Sequence, residues 1–207
     1  KKKFVRKVKD YFLNIERVSA YDLNKKKLEN IYSKLISFKP KYIIGYGSCL
    51  DQFSSYLINN ELNLREIGVL RIVNTSESIS KNSEAKLKKL FNCPVINEYG
   101  MAEAGVIGYS ISNIFPIKIF WREFIIKENN KKIFLTTIGD RCFPLINYDT
   151  EDLGKTINKK HTTLLHIDEL KGKARDIFKI KDINEKYCEV SVVLFDHIFK
   201  QIPEIKS

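Results

Sequence analysis

The sequence predicts an α/β protein: a largely parallel sheet with flanking helices, then a small, mostly antiparallel β subdomain and the start of a C-terminal α+β domain. Three observations carry this. Up to about residue 110, apolar runs of strand length alternate with helical patterns, the arrangement that parallel sheets require. After Gly105 helical spacing gives way to short strand-like runs separated by polar turns, which reads as hairpins. Hydrophobic residues make up 43% and aromatics 12% of the 207 residues, enough for a sizeable core and too many for a disordered chain. The expected divisions are residues 1–110 (α/β part of a large domain), 111–172 (β-rich subdomain) and 173–207 (hinge and start of a C-terminal domain).

Phe4, Val8, Tyr11, Phe12 and Ile15 fall near helical spacing, predicting an amphipathic helix with a lysine-rich outer face. Asn24 is placed to cap a second helix with Leu28, Ile31, Leu35 and Ile36 inside, which Pro40 ends. Residues Tyr42 to Gly45 read as a buried strand, and Ser48 as the cap of a helix carrying Leu50, Phe53, Tyr56 and Leu57. Gly68 to Val73 gives the next strand, Ser80 caps a helix through Leu90, and Pro94 to Asn97 is another strand. Further on, Ile117–Lys127 and Ile133–Thr137 form a hairpin around residues 128–131, and Phe143–Tyr148, Asp152–Ile157, Leu164–Leu170 and Ile177–Ile180 are strands. Cys188 to Ile202 reads as helical.

Composition narrows the function. The formal charge is +11, but lysine is spread among asparagine and isoleucine along the whole chain, as AT-rich codon usage produces. No arginine-rich patch or zinc-finger spacing accompanies it, so nucleic-acid binding is not expected. Cys49, Cys93, Cys142 and Cys188 are dispersed with no CxxC pair, which argues against zinc or a redox dithiol and suits a reducing cytoplasm. No apolar run approaches the roughly 20 residues of a membrane helix, and the first residues lack the apolar centre of a signal peptide.

The chain is organised around Asn97-Glu98-Tyr99-Gly100-Met101-Ala102-Glu103-Ala104-Gly105, between two strand-like runs. Tyr99 offers a flat ring for a purine. Gly100 and Gly105 let the backbone turn sharply or approach a ligand, and Glu103 supplies the hard oxygen donors that Mg²⁺ takes. The same nine residues also read as an ordinary strand-loop-strand with a surface tyrosine. The loops Gly45–Ser48, Asn74–Glu77 and Tyr99–Glu103 all follow strands, and ligands of parallel sheets gather at that end. Gly45–Ser48 lacks the spacing of a phosphate-binding loop, which favours a plain strand-to-helix turn.

Four motifs stand in order: Ile72–Ser78 (IVNTSES), Asn97–Gly105 (NEYGMAEAG), Phe143–Gly154 (FPLINYDTEDLG) and Leu170–Phe178 (LKGKARDIF). With the segments Phe38–Tyr46 and Phe199–Lys206, they resemble the adenylate-forming enzymes, in particular the phenylacetate-CoA ligase branch with its CapK-like proteins of capsular polysaccharide genes. The resemblance runs from about Asp22 to the last residue. It implies ATP-dependent activation of a small carboxylic acid as an acyl-adenylate, with Mg²⁺, followed by transfer to a thiol, usually coenzyme A. It further implies that Tyr99 stacks on adenine beside Gly100, with Ser76 and Glu77 on the adenine-side loop. Glu103 would hold Mg²⁺ near the α-phosphate, Asp152 would accept hydrogen bonds from both ribose hydroxyls, Lys173 would contact the nucleotide in place of an arginine, and Asp176 would be the hinge of a small C-terminal domain.

Several positions depart from that pattern. Ala102 stands where Thr or Ser precedes the glutamate, Asn147-Tyr148 replaces Arg-Tyr, Glu151 replaces the glycine of Thr-Gly-Asp, and Lys173 loses the planar fork of arginine. Residues 160–163 (KHTT) stand where some relatives carry a Cys-rich segment. The Ser/Thr/Gly-rich phosphate loop and the C-terminal domain with its catalytic lysine are not found, so an incomplete chain is expected. The alternative is a relative that kept the fold, lost turnover and serves binding or scaffolding in surface-polysaccharide assembly. The identity of the acid and the oligomeric state are not legible.

Overall fold

A computed structural model describes residues 2–111, 115–158, 165–173, 177–181, 185 and 187–191. They fall into two compact units, Lys1–Gly100 with Ser110–Ile114, and Met101–Tyr109 with Phe115–Ser207.

The first unit is built from α1 (Lys2–Phe12), α2 (Lys25–Phe38), β1 (Tyr42–Tyr46), α3 (Gly47–Asn59), a 3₁₀ turn (Arg65–Ile67), β2 (Arg71–Thr75), α4 (Lys81–Phe91) and, apart from its last residue, β3 (Val95–Met101). The three strands are parallel, with Ile43 opposite Ile72 and Ile72 opposite Val95, as the alternation of helix and strand requires. Leu57 of α3, Leu87 of α4, Ile72 and Val95 are fully buried. Each such side chain contributes about 1.5–3 kcal/mol relative to exposure. Asn24 caps α2 by accepting from the Lys27 amide, and Ser80 caps α4 by accepting from the Ser83 amide, both as expected.

Four expectations are corrected here. The apolar residues of α1 face outward, with Phe4 73% and Tyr11 82% exposed, because nothing described in this unit packs over that stripe. Strand β1 is covered on one face only: Ile43 is half-buried while Tyr42, Ile44 and Tyr46 are exposed. The strand expected from Gly68 starts at Arg71, since Gly68 ends the 3₁₀ turn at φ 75°, a conformation that favours glycine. Helix α3 begins at Gly47 without a side-chain cap on its N-cap residue, Tyr46. Its Ser48 amide donates to Glu77 Oε2 at 2.8 Å instead, so a carboxylate from another loop serves as the cap.

The second unit is antiparallel. It holds β4 (Gly105–Ile111), apart from its last two residues, with β5 (Ile117–Ile119), β6 (Phe124–Asn129), β7 (Lys132–Thr137), β8 (Tyr148–Asn158), β9 (Leu165–Lys173), β10 (Ile177–Lys181) and β11 (Tyr187–Ser191). Strand β5 pairs with β4 and β9, β9 with β8, β8 with β7, and β7 with β6. Strands β10 and β11 form a separate ribbon. The expected hairpin turns at Asn130 and Lys131, both at positive φ. Alternate residues of β7 point inward, and Ile133 and Leu135 are fully buried with Ile167 of β9.

Three further expectations fail in this unit. The strand expected over 117–127 is broken into β5 and β6 by a turn in which the Glu123 and Phe124 amides both donate to the Phe120 carbonyl, at 2.8 and 3.0 Å. The segment 143–147 is not a strand. Leu145 instead bonds back to Thr137, its amide donating to Oγ1 at 2.9 Å and its carbonyl accepting from the Thr137 amide at 2.9 Å. The Asn147 amide donates to Thr136 Oγ1 at 2.9 Å. Threonine hydroxyls at the end of β7 thus take the bonds that a neighbouring strand would need. Residues 188–191 are not helical but pair with β10, Cys188 opposite Ile180. Residues 192–202 of the expected helix lie outside the described residues.

Two predictions follow from the packing. A Cβ added at Gly154 would lie 2.5 Å from the Glu169 carbonyl oxygen, so Gly154→Ala must force paired backbones apart. It is expected to lower stability by about 2 kcal/mol, read as a lower urea midpoint with unchanged slope. In the second, Lys132 Nζ donates to Asp149 Oδ2 at 2.8 Å. The ammonium, with the Glu151 amide, holds the Asp149 carboxyl below its ordinary range, and Asp149 raises Lys132. The depressed acid stabilises above the ordinary carboxylate value and loses that contribution as pH falls through its folded value. The raised lysine stabilises below its ordinary value and loses its contribution as pH rises through its folded value. Asp149→Asn should therefore flatten both the acid and the alkaline limb of a stability–pH curve measured by thermal melting, leaving the difference from wild type largest near neutrality.

Candidate functional site

In the first unit the candidate residues gather where the parallel strands end. Strand β2 delivers Asn74 into a buried polar network. Asn74 Nδ2 donates to the Glu77 carbonyl at 2.9 Å and to Asn97 Oδ1 at 3.2 Å, and Asn97 Nδ2 donates to Glu84 Oε2 at 3.2 Å. Glu84, in the first turn of α4, pairs with Lys88 at 2.5 Å. Asn74 Oδ1 is buried with no hydrogen-bond partner among the described residues. It lies 3.0 Å from where a Cβ on Gly47 would stand, and the Ser78 carbonyl lies 2.8 Å from the same point. Only glycine lets the loop after β2 press this closely on the start of α3.

That loop carries Ser76 and Glu77. Ser76 is exposed and adopts φ 66°, strained backbone for a residue with a side chain. Glu77 is exposed with one carboxylate oxygen engaged by the Ser48 amide. Tyr99 and Gly100 follow along β3. Tyr99 is 9% exposed, so most of its ring is covered by the protein itself, and Gly100 is exposed.

In the second unit the turn Ala102–Ala104 joins β3 to β4. Glu103 is exposed and Ala104 is buried. The Ala104 amide donates to the Met101 carbonyl at 3.3 Å, and Gly105 leaves the turn at φ 81°. The Ala104 carbonyl accepts from Arg141 Nη1 at 3.2 Å. Arg141 also lies over the Phe124 ring, 5.1 Å from its centre, and its Nη2 is 3.6 Å from Glu123 Oε2.

Asp152 sits on an irregular stretch of β8. The pairing with β7 jumps from Phe134–Asp149 to Lys132–Leu153, which leaves residues 150–152 out of register as a bulge. Thr150, 2% exposed, holds the bulge. Its hydroxyl donates to the Ile133 carbonyl at 2.8 Å and accepts from the Asp152 amide at 3.2 Å. Glu151 takes φ 61°, and its amide donates to Asp149 Oδ1 at 2.8 Å. Asp152 is thereby buried at 8% exposure, directly across from Lys173 on β9. Lys173 Nζ is 3.6 Å from Asp152 Oδ1 and donates to the Thr150 carbonyl at 2.5 Å. Bulges of this kind commonly re-aim a side chain next to a site.

The structure thus brings Asp152 and Lys173 together in the second unit, and Ser76 and Glu77 together in the first. Tyr99 and Gly100 belong to the first unit, and Glu103 to the second. Asp176 lies outside the described residues. Sequence reasoning did not single out Asn74, Glu84, Thr150 or Arg141. Asn74 and Thr150 lay inside recognised motifs, so their burial was the missing signal. Arg141 lies in a loop with no pattern of its own. No group of three or more His, Cys, Asp or Glu that could hold a metal occurs among the described residues. Mg²⁺ bound beside phosphates takes only one or two carboxylates, and the exposed Glu103 fits that smaller requirement. No helix among the described residues is long and apolar enough to cross a membrane.

No family model matches the chain. In sequence it is similar to the protein CapK of Staphylococcus aureus, 30% identical over 144 residues, which are 68% of this chain and 32% of CapK. In structure it is similar to 2-hydroxyisobutyryl-CoA ligase in its postadenylation state with a bound acyl-AMP, with a TM-score of 0.67 and 13% identity over 87% of this chain and 42% of that one. Coronafacic acid ligase from Pectobacterium brasiliense gives a TM-score of 0.54 at 21% identity over 89% of this chain and 39% of that one. MenE of E. coli with an OSB-AMS analogue gives 0.51 at 13% identity over 72% of this chain and 33% of that one. The chain spans about a third of CapK and about two fifths or less of these ligases. The expected α/β class is met, parallel in the first unit and antiparallel in the second. The chain therefore has the fold of these adenylate-forming ligases and, over about two thirds of its own length, a sequence similar to that of CapK.

Proposed function

We propose that this chain is the nucleotide-binding portion of a carboxylate-activating ligase of the phenylacetate-CoA ligase and CapK type. The full protein would join a small carboxylic acid to the α-phosphorus of ATP, release pyrophosphate, and pass the acyl group to a thiol such as coenzyme A. The observation that carries the reading is Asp152, a carboxylate turned inward by the bulge in β8 and faced by the Lys173 ammonium. A two-oxygen acceptor beside a cation suits a ribose diol next to a phosphate. It lies in a fold whose solved relatives include a CoA ligase described with acyl-AMP and with CoA.

In this reading Asp152 accepts from the ribose hydroxyls, and Lys173 neutralises charge at the nucleotide. Tyr99 meets the adenine beside Gly100, with Ser76 and Glu77 bounding the purine from the other loop. Two anions must meet for the first step, so positive charge at the phosphates is the main requirement. Mg²⁺, when bound, supplies charge neutralisation at the phosphate oxygens, and Glu103 is the residue that would hold it. Asp176 would act as the hinge about which a C-terminal domain turns between the two half-reactions. A cytoplasmic setting agrees with the dispersed cysteines.

A second reading keeps the fold and drops turnover, leaving a binding or scaffolding protein of surface-polysaccharide assembly. Two observations favour it. Tyr99 is almost covered, and Lys173 is already engaged by the Thr150 carbonyl and Asp152, so two of the groups expected to meet the nucleotide are occupied by the chain itself.

The readings separate on pyrophosphate release by the full-length protein over a panel of carboxylic acids. Release with at least one acid is expected, and silence with every acid selects the scaffold. AMP binding by calorimetry tests the site separately. Asp152→Ala is expected to weaken it about tenfold or more, the scale of a lost hydrogen bond to a charged group, while Cys142→Ala, an exposed position, leaves it unchanged. Equal affinities for the two variants would remove Asp152 from the site.

A further inference from the structure

We propose that Arg141 is a positioning residue for Glu103: it fixes the Ala102–Ala104 turn and so sets the Mg²⁺ dependence of nucleotide binding. The proposal rests on the adenylation reading above. Arg141 touches three residues on two chain segments at once. Nη1 donates to the Ala104 carbonyl at 3.2 Å, Nη2 faces Glu123 Oε2 at 3.6 Å, and the guanidinium lies over the Phe124 ring. Phe124 is 2% exposed at the start of β6, so one side of the clamp is core. A planar fork with several donors can serve all three partners together, which an ammonium cannot.

The turn needs such a clamp. Within the turn itself a backbone bond is made, from the Ala104 amide to the Met101 carbonyl at 3.3 Å. Gly105 at φ 81° presents no wall, since a Cβ built there meets nothing within 4 Å. Ala102 and Glu103 are exposed, while Ala104 is buried. The carboxylate thus hangs on a turn anchored at the residue that follows it, and Arg141 holds that residue's carbonyl. Mg²⁺ demands near-ideal octahedral geometry at short distance, so the turn that carries its carboxylate must be held in place when the metal binds. Glu123 balances the guanidinium charge, and the clamp therefore acts through geometry rather than by adding a cation.

The test uses full-length protein and two readouts. The first is amide hydrogen exchange at Glu103 to Gly105. The second is calorimetric ATP binding across a Mg²⁺ series, with an EDTA arm. Arg141→Ala is expected to speed exchange at the turn and to raise the Mg²⁺ concentration for half-maximal binding about fivefold, the factor of one ordinary hydrogen bond. Binding in EDTA should stay unchanged. Arg141→Lys should recover part of the shift, and the shift should vanish in a Glu103→Gln background, as expected when one residue acts through the other. If Arg141→Ala does not fold, Glu123→Gln, which removes only the ion pair, should show the same shift in smaller measure. An unchanged Mg²⁺ midpoint overturns the proposal, whether or not exchange rises, because faster exchange alone marks a structural role. Wild-type protein that binds no ATP at any Mg²⁺ concentration overturns the adenylation reading and this proposal together. That outcome is distinct from wild type and Arg141→Ala binding alike.

Discussion

The second unit depends on one hydroxyl. Thr150 Oγ1 donates to the Ile133 carbonyl and accepts from the Asp152 amide, using both capacities of the group. Buried backbone groups must find partners, and a bulge leaves two strands with groups out of register. The threonine side chain fills that gap from within the bulge. With those bonds made, Glu151 can take positive φ and Asp152 can turn inward to face Lys173. A valine of the same shape would pack as well in volume but leave the Ile133 carbonyl and the Asp152 amide without this partner, at a cost of about 1–3 kcal/mol for each unsatisfied group. Packing, bulge and acid are therefore one device.

The first unit solves a related problem with amides and a carboxylate. The ends of β2 and β3 place Asn74 and Asn97 side by side in the interior, and Glu84 of α4 closes the chain of bonds. Glu77 answers the Ser48 amide at the start of α3. The loop between Asn74 and Ser80 is therefore tied to two helix starts, α3 through Glu77 and α4 through the Ser80 cap. Ser76 sits at the free part of this loop in a strained conformation. Rigid supports around an exposed, strained residue are a common way to present backbone to a ligand.

Much of this was legible in the sequence, and the reasons differ by element. Helices α2 and α4 were readable because their caps, Asn24 and Ser80, are local signals that the structure keeps. The hairpin of β6 and β7 was readable because a polar turn separates two apolar runs. The segment 143–147 misled because its apolar residues look like a strand, whereas the bonds that decide its path come from Thr136 and Thr137. The cap of α3 misled for the same reason, since Glu77 is remote in sequence from Ser48. The site residues came from motif order. Asp152 and Lys173 prove to be neighbours because β8 and β9 pair with these two residues opposite each other, and no composition or spacing carries that information.

The exchange of arginine for lysine at residue 173 bears on both readings of the protein. Lysine is a compact point charge on a flexible stem, and here its ammonium donates to the Thr150 carbonyl and stands 3.6 Å from the Asp152 carboxylate. At that separation the ammonium is beyond hydrogen-bond distance of the Asp152 carboxylate, whereas drawing Lys173 away would cost its bond to the Thr150 carbonyl. An arginine could keep one partner while reaching for the other, because its donors point in fixed, separate directions. Lysine at residue 173 therefore keeps positive charge beside Asp152 and ties it to the backbone of the bulge. The geometry thus fixes a lysine whose charge is shared between the backbone of the bulge and the acid that the bulge turns inward.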